Sequence, residues 1–131
     1  MLNFLLDTSI LIDCMRNKNG VKDFVDALNG EVGTSLFCIS ELYVGVYRSK
    51  RPKEEEAKMT GYALGLDFIL GLDLAISKQF GELVGVLRNN GQPLDDFDVF
   101  IAATCLTNNL TLVTQNIKHF NRIPSLSMLS P

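Results

Sequence analysis

Short apolar runs alternate with amphipathic stretches along the whole chain. Five of these runs are compact and end at polar or turn-forming residues, which predicts buried strands. The predicted strands cover residues 3–6, 33–39, 66–72, 110–113 and 126–129, the last of them as an edge strand.

Between the apolar runs, hydrophobic residues recur at helical spacing. Seven helices are predicted, over residues 9–15, 21–28, 41–47, 54–62, 75–89, 95–108 and 117–120. Pro52 interrupts the third helix, and Asn90-Gly91 ends the fifth because glycine accepts the left-handed conformation at a helix terminus. Parallel strands need crossovers that helices supply, so the alternation favours an α/β domain with a mainly parallel central sheet of four to five strands.

The composition is typical of one compact domain over residues 1–131. Of these residues 47% are hydrophobic and 21% charged, and a chain of this length can bury a core without metal or disulfide cross-links. Cys14, Cys38 and Cys105 are odd in number and far apart, which predicts reduced, buried thiols. The first apolar stretch, residues 2–6, stops at Asp7 and is too short for a signal peptide or a membrane span, so we expect a cytoplasmic protein.

The formal net charge of −3 gives no general nucleic-acid-binding footprint. Acids that hold divalent cations would contribute to this count, and the bound cations would reverse the local sign. One basic run interrupts the acidic background and consists of Arg48, Lys50, Arg51 and Lys53. Such a run is typical of a solvated surface, but beside an acidic metal site it could also bind a phosphate backbone.

Acidic residues from three separated segments are predicted to meet at one edge of the sheet. Asp7 ends the first strand, Glu41 follows the second, and Asp95, Asp96 and Asp98 open the helix that precedes the fourth. Ligands of α/β folds bind beyond the carboxyl ends of the strands. Converging carboxylates repel one another unless a cation lies among them, and hard oxygen ligands suit Mg²⁺ or Mn²⁺.

Each of these features also has a purely structural explanation. Asp7 and Asp95 can cap helix N-termini, and Glu41 can be a first-turn acid favoured by the helix dipole. His119 is the only histidine and has no apparent acid partner, so we interpret it as a structural or surface residue rather than a zinc ligand or triad member. Phosphate-binding, dinucleotide-binding and nucleophile-elbow glycine motifs are absent from the sequence.

Four segments, taken in order, resemble the motifs of PIN-domain ribonucleases. They read LLDTSILID at residues 5–13, ISELYVGV at 39–46, DFDVFIAAT at 96–104 and LVTQNIKHF at 112–120. Order, spacing and total length agree over essentially the whole chain, and the subgroup it most resembles is the VapC toxins of toxin–antitoxin pairs. The resemblance implies a three-layer α/β/α PIN-like fold.

The resemblance also implies roles for individual residues. Asp7, Glu41 and Asp98 would be the catalytic acids that hold one or two Mg²⁺ or Mn²⁺ ions, with Asp96 as a further acid at the metal. Supporting positions fall on Thr8, Ser9, Thr114 and Asn116. Asn116 stands where the last motif of the family often has an acid, which leaves its contribution to the metal site open.

In function, the resemblance implies an endoribonuclease that hydrolyses RNA phosphodiester bonds by means of a metal-activated water. A loop of a transfer or ribosomal RNA is the expected substrate, a VapB-type antitoxin the expected partner, and a homodimer the expected assembly. Two alternatives stay open. One is a catalytically silent PIN-like interaction module; the other is a phosphoacceptor domain similar to haloacid dehalogenases, which is disfavoured because Ser9 stands where a second Asp would be needed.

Overall fold

The computed structural model describes residues 3–131, so residue 2 of the first apolar run lies outside the described part of the chain. Its strands are β1 (Phe4–Leu6), β2 (Val32–Ser35), β3 (Phe68–Leu70), β4 (Thr111–Val113) and β5 (Met128–Leu129). They form one sheet in the order β3-β2-β1-β4-β5, and every neighbouring pair is parallel. The expected α/β architecture is confirmed, with a wholly parallel sheet.

Within the described residues, seven helices connect or follow the strands, as predicted. They are α1 (Thr8–Arg16), α2 (Val21–Asp26), α3 (Leu36–Arg48), α4 (Pro52–Leu64), α5 (Leu74–Asn89), α6 (Asp96–Asn108) and α7 (Ile117–Phe120). Local chemistry sets several of their ends. The Asp73 carboxylate accepts a hydrogen bond from the backbone N–H of Ile76 at 2.8 Å and caps α5, while Asn109 ends α6 in the left-handed conformation. No helix within residues 3–131 is long and apolar enough to cross a membrane.

The strand order places a topological switch point at the middle of the sheet. The chain passes from β1 to β2 and β3 in one direction and then returns to β4 on the other side of β1. Because parallel crossovers are right-handed, this reversal puts helices on both faces and gives the expected three layers. β1 is buried throughout, and its carboxyl end lies beside that of β4. This crevice is where folds of this type bind ligands.

One predicted boundary is wrong. The apolar run at residues 33–39 is not a single strand, because β2 ends at Ser35 and α3 begins at Leu36. The Ser35 hydroxyl accepts a hydrogen bond from the backbone N–H of Cys38 at 3.2 Å, which caps the helix. Residues 36–39 are therefore the first turn of a partly buried helix, which an apolar run alone cannot distinguish from a strand. As a result Glu41 lies in the second turn of α3 and is not a first-turn acid.

Candidate active site

Asp7 lies at the switch point, immediately after β1. Its backbone N–H donates to the Val113 carbonyl at 3.0 Å, which fixes it beside the end of β4. Its side chain is only 8% exposed, and its two oxygens accept 2.8 Å hydrogen bonds from the backbone N–H of Thr8 and the hydroxyl of Thr114. Burial raises the pKa of Asp7, and these two hydrogen bonds oppose the rise. Asp7 does cap α1, as the structural explanation required, and it also faces the crevice.

Glu41 reaches the same crevice from α3. Its Oε1 accepts a 2.8 Å hydrogen bond from the hydroxyl of Thr8, so Thr8 links Glu41 to Asp7 through its hydroxyl and its backbone N–H. Burial is the main cause that raises the pKa of Glu41, and the negative charges of Asp7 and Asp95 raise it further. Glu41 and Asp7 are therefore close enough to repel each other electrostatically.

Asp98 enters from the first turn of α6. Its side chain is 22% exposed, and its Oδ2 lies 3.1 Å from Nδ1 of His119. Burial raises the pKa of Asp98 to about 6, with the charges of Asp7, Asp95 and Glu41 adding to the rise and His119 opposing it. The structure thus brings together the three acids that the sequence predicted to converge.

His119 is the residue that sequence reasoning missed at this site. It lies in α7, the single turn after β4, and its ring packs edge-on against the buried Phe120. Asp98 is the acid partner that was not apparent from the sequence, so the interpretation as a merely structural or surface residue was wrong in that respect. The available signal was its position just beyond the carboxyl end of a strand, where ligands gather.

The supporting residues differ in how close they come to the acids. Thr114 is fully buried, donates to Asp7 and accepts a 3.0 Å hydrogen bond from the backbone N–H of Asn116. Asn116 is exposed and holds this loop through its backbone. Ser9 is partly buried in the first turn of α1, next to Thr8.

Asp95 and Asp96 lie in different surroundings, and Asp96 is not where it was expected. Asp95 caps α6 as predicted, accepting a 3.0 Å hydrogen bond from the backbone N–H of Phe97, but its charge also raises the pKa of both Glu41 and Asp98. Asp96 is exposed and lines a small pocket of about 60 Å³ beside Arg88 of α5. The structure therefore does not bring Asp96 to the acidic cluster, because successive helical positions point in directions about 100° apart.

The donor set of the crevice has the chemistry of a site for a hard divalent cation. A carboxylate offers about four lone-pair positions, so the hydrogen bonds already made by Asp7, Glu41 and Asp98 leave capacity for an ion. Within residues 3–131, however, no three side chains of Asp, Glu, His or Cys are arranged to hold a metal as they stand. The carboxylates are held by their contacts with Thr8, Thr114 and His119, and a cation bound among them would offset their repulsion.

A groove opens beside the acidic cluster between α1, α3 and α4. Its volume is about 610 Å³ and Glu41 lies in its wall. Apolar side chains and cations line it, among them Ile12, Met15, Leu42, Met59, Arg16 and Lys58. The basic run predicted from the sequence lies at the corner between α3 and α4, fully on the surface, where Arg51 forms an exposed 3.5 Å pair with Glu54. The structure leaves the other three cations of the run exposed as well.

Comparison with known proteins gives the class. The PIN domain family model matches residues 4–126. The chain is 31% identical over 127 residues to the tRNA(fMet)-specific endonuclease VapC of Shigella flexneri, with 96% of each chain covered, and 31% identical to ribonuclease VapC2 of Rickettsia felis, with 94% and 93% covered. A chain of the Rickettsia felis VapBC2 complex, bound to a promoter DNA fragment, superposes with a TM-score of 0.92 at 27% identity over 99% of both chains. The chain belongs to the PIN domain family. Its relatives include VapC ribonucleases.

Proposed function

We propose that this chain is the toxin of a VapBC-type pair, an endoribonuclease that depends on Mg²⁺ or Mn²⁺. The observation that carries the proposal is the convergence of Asp7, Glu41 and Asp98 at the switch point. Burial raises the pKa of all three, and the charge of Asp7 raises the pKa of Glu41 and Asp98 further. Such mutual repulsion costs stability in the metal-free protein, and cation binding would offset it. The names of the VapC relatives support the reaction class.

The side chains have distinct roles in this proposal. Asp7, Glu41 and Asp98 would hold one or two ions, and a bound ion would supply an activated water and stabilise charge on the scissile phosphate. Thr8 orients Asp7 and Glu41 relative to each other, and Thr114 holds the second oxygen of Asp7. His119 fixes Oδ2 of Asp98. No protein nucleophile is required.

For the substrate we propose a loop of a transfer or ribosomal RNA. RNA loops expose bases and phosphates that a paired stem hides, and they are where proteins read RNA sequence. The Shigella flexneri relative is named for its action on tRNA(fMet), which supports a transfer RNA before a ribosomal one.

For the partner we propose a VapB-type antitoxin that occupies the groove between α1, α3 and α4. The groove combines apolar walls such as Ile12 and Met59 with Glu41 at the border of the acidic cluster. An amphipathic segment carrying an arginine would bury its apolar side chains there and place a cation against the carboxylates, in the position proposed for the metal. The VapBC complex among the structural neighbours supports this kind of partner.

We also propose a homodimer. Leu36, Leu72 and Leu74 are 50%, 53% and 87% exposed at the carboxyl ends of β2 and β3. Leu36 packs near the Gly71 backbone, so this apolar surface joins α3 to the loop before α5. Exposed apolar patches of this kind are typical of subunit interfaces, and the mass of the purified chain in solution tests this directly.

The basic run gives a prediction about RNA binding. Replacing Arg48, Lys50 and Arg51 together with alanine should weaken RNA binding in EDTA and lower the salt dependence of the binding constant by up to about 2 in logarithmic slope, at roughly 0.7 per lost phosphate contact. The fold should tolerate the change, because the one ion pair in the run is exposed.

The matched control for the basic run removes the same charge elsewhere. Lys22, Lys78 and Arg88 are exposed on α2 and α5, and their joint replacement with alanine should leave the salt slope near that of the wild type. If the two triple variants had equal salt slopes, the basic run would not be part of the RNA-binding surface.

The cleavage test of the proposed function uses total cellular RNA. The purified chain should cut at one or a few sites with Mg²⁺ or Mn²⁺, should not cut in EDTA, and should lose the activity with Asp7→Asn, which keeps the shape and removes the charge. Adding the antitoxin should suppress the cuts. Absence of metal-dependent cutting by folded, antitoxin-free protein would favour the catalytically silent PIN-like module instead.

A further inference from the structure

Phe97 is an exposed aromatic ring at the rim of the acidic cluster. It lies in the first turn of α6 between Asp95 and Asp98, and 43% of it is exposed. Its backbone N–H donates to the Asp95 carboxylate at 3.0 Å, which fixes its place in the turn. The two residues next to Phe97 in the chain lie in different surroundings. Asp98 belongs to the acidic cluster, and Asp96 lies on the outer surface.

A stack of three half-buried rings supports Phe97. Its ring meets Phe37 of α3 edge-on, with centroids 6.1 Å apart. Phe37 stacks on Phe100 at 4.5 Å, and Phe100 stacks on Phe80 of α5 at 3.8 Å, both nearly parallel. Three helices thus contribute to one aromatic support, so the outermost ring is held in a defined orientation rather than free to collapse onto the surface.

The aromatic stack is continuous with the cluster of acids. Phe37 and Glu41 are four residues apart on α3 and therefore occupy the same face of that helix. Phe97 packs on Phe37 and directly precedes Asp98 in α6. The exposed ring consequently lies between the two helices that bring Glu41 and Asp98 to the crevice.

We propose that Phe97 is a stacking platform for an unpaired nucleobase of the RNA, next to the phosphate that is cut. The proposal rests on the proposed ribonuclease function and adds to it the group that holds the substrate. The acids of the crevice repel a phosphate backbone, whereas a neutral aromatic ring beside them attracts a base without that repulsion. Stacking on an aromatic ring tolerates every base, because each base has a π face.

The experiment measures binding and cleavage separately. The probe is a short oligouridine with one 2-aminopurine, whose fluorescence falls when it stacks. In EDTA, where no cutting is expected, Phe97→Ala should weaken binding about 5- to 150-fold, which is the range for loss of one stacked base. It should also abolish the quenching. Phe97→Trp should restore both, and Phe97→Leu, which keeps packing on Phe37, should not. With metal, Phe97→Ala should raise KM and leave kcat nearly unchanged.

A control distinguishes base stacking from other uses of the ring. Tyr47 is 65% exposed on the last turns of α3, stacked on Tyr43, and Tyr47→Ala should bind and quench like the wild type. Unchanged binding and quenching by Phe97→Ala would overturn the proposal. So would a change in sedimentation without a change in KM, which would assign the ring to an interface between two copies of the chain. If the wild type binds and quenches the probe but cuts no RNA, the platform stands and the ribonuclease function fails.

Discussion

Asparagine in place of Asp98 is expected to reduce RNA cleavage by at least about 100-fold, because loss of a group that merely orients a metal ligand already costs 10- to 100-fold. Asparagine in place of Asp96 should leave the rate nearly unchanged, because its exposed side chain lies beside Arg88 and away from the acidic cluster. Both residues lie in the first turn of α6, but only Asp98 faces Glu41 and Asp7. Cleavage rates under single-turnover conditions with Mn²⁺ measure the difference.

The same two variants separate a catalytic loss from a structural one. Asp98→Asn removes a charge whose burial is unfavourable, so in EDTA at neutral pH its thermal midpoint should rise above that of the wild type. Asp96→Asn should leave the midpoint unchanged because its side chain is already exposed. An inactive Asp98→Asn that melts higher would be a folded protein without a metal ligand. If both variants lost activity equally, Asp96 would instead belong to the metal site, as the sequence predicted.

The position of Asp7 could be predicted because its causes are local. A short apolar run, an acid at its end and a helical period directly afterwards define a strand, a cap and a helix within ten residues. An acid that directly follows a strand lies at the carboxyl end of that strand whatever the rest of the chain does. The same holds for Asp95, whose capping role follows from the two residues that come after it.

Glu41 was predicted at the site and in a helix, although the start of that helix was placed five residues too late. The sequence 33–39 is apolar throughout, and the choice between strand and helix there depends on the Ser35 cap, which competes with continued strand pairing. Because α3 starts at the carboxyl edge of β2, a residue in its second turn still lies near that edge. The error in the boundary therefore shifted Glu41 along the helix without removing it from the crevice.

The pairing of His119 with Asp98 could not be predicted from the sequence. It depends on how α7 and the first turn of α6 approach each other across the edge of the sheet, 21 positions apart in the chain and in no common periodic element. Which of Asp95 and Asp96 lies near the acidic cluster could not be predicted either. It depends on the rotation of α6 about its own axis, which the packing of Phe100 on Phe37 and Phe80 sets.

The stability of the metal-free protein should increase as the pH falls from about 7.5 to about 5, whereas most proteins lose stability towards acid. The folded-state pKa of Asp7, Glu41 and Asp98 lies above the ordinary value, and for Asp98 it is about 6 against 3.8. A carboxyl with a raised folded pKa destabilises the fold when charged, so protonation removes the penalty as the pH passes through 6. Between pH 7.5 and pH 5 the contribution of Asp98 is about 1.4 kcal/mol, because the pH falls about one unit below its folded pKa. This corresponds to about 4–7 °C in thermal midpoint.

A divalent cation should also stabilise the folded protein at pH 7.5, by neutralising the carboxylates instead of protonating them. Mn²⁺ at about 100 times its dissociation constant would add about 2.7 kcal/mol by mass action, and the gain should shrink towards pH 5 because protons compete for the same oxygens. Thermal midpoints measured with EDTA and with Mn²⁺ at both pH values give four numbers for each protein. The Asp98→Asn variant should lose most of the stabilisation by acid and by Mn²⁺. The Asp96→Asn variant should keep both. Stabilisation by Mn²⁺ that is independent of pH and persists in Asp98→Asn would place the ion elsewhere, since no carboxylate of the crevice would then be exchanging a proton for a metal.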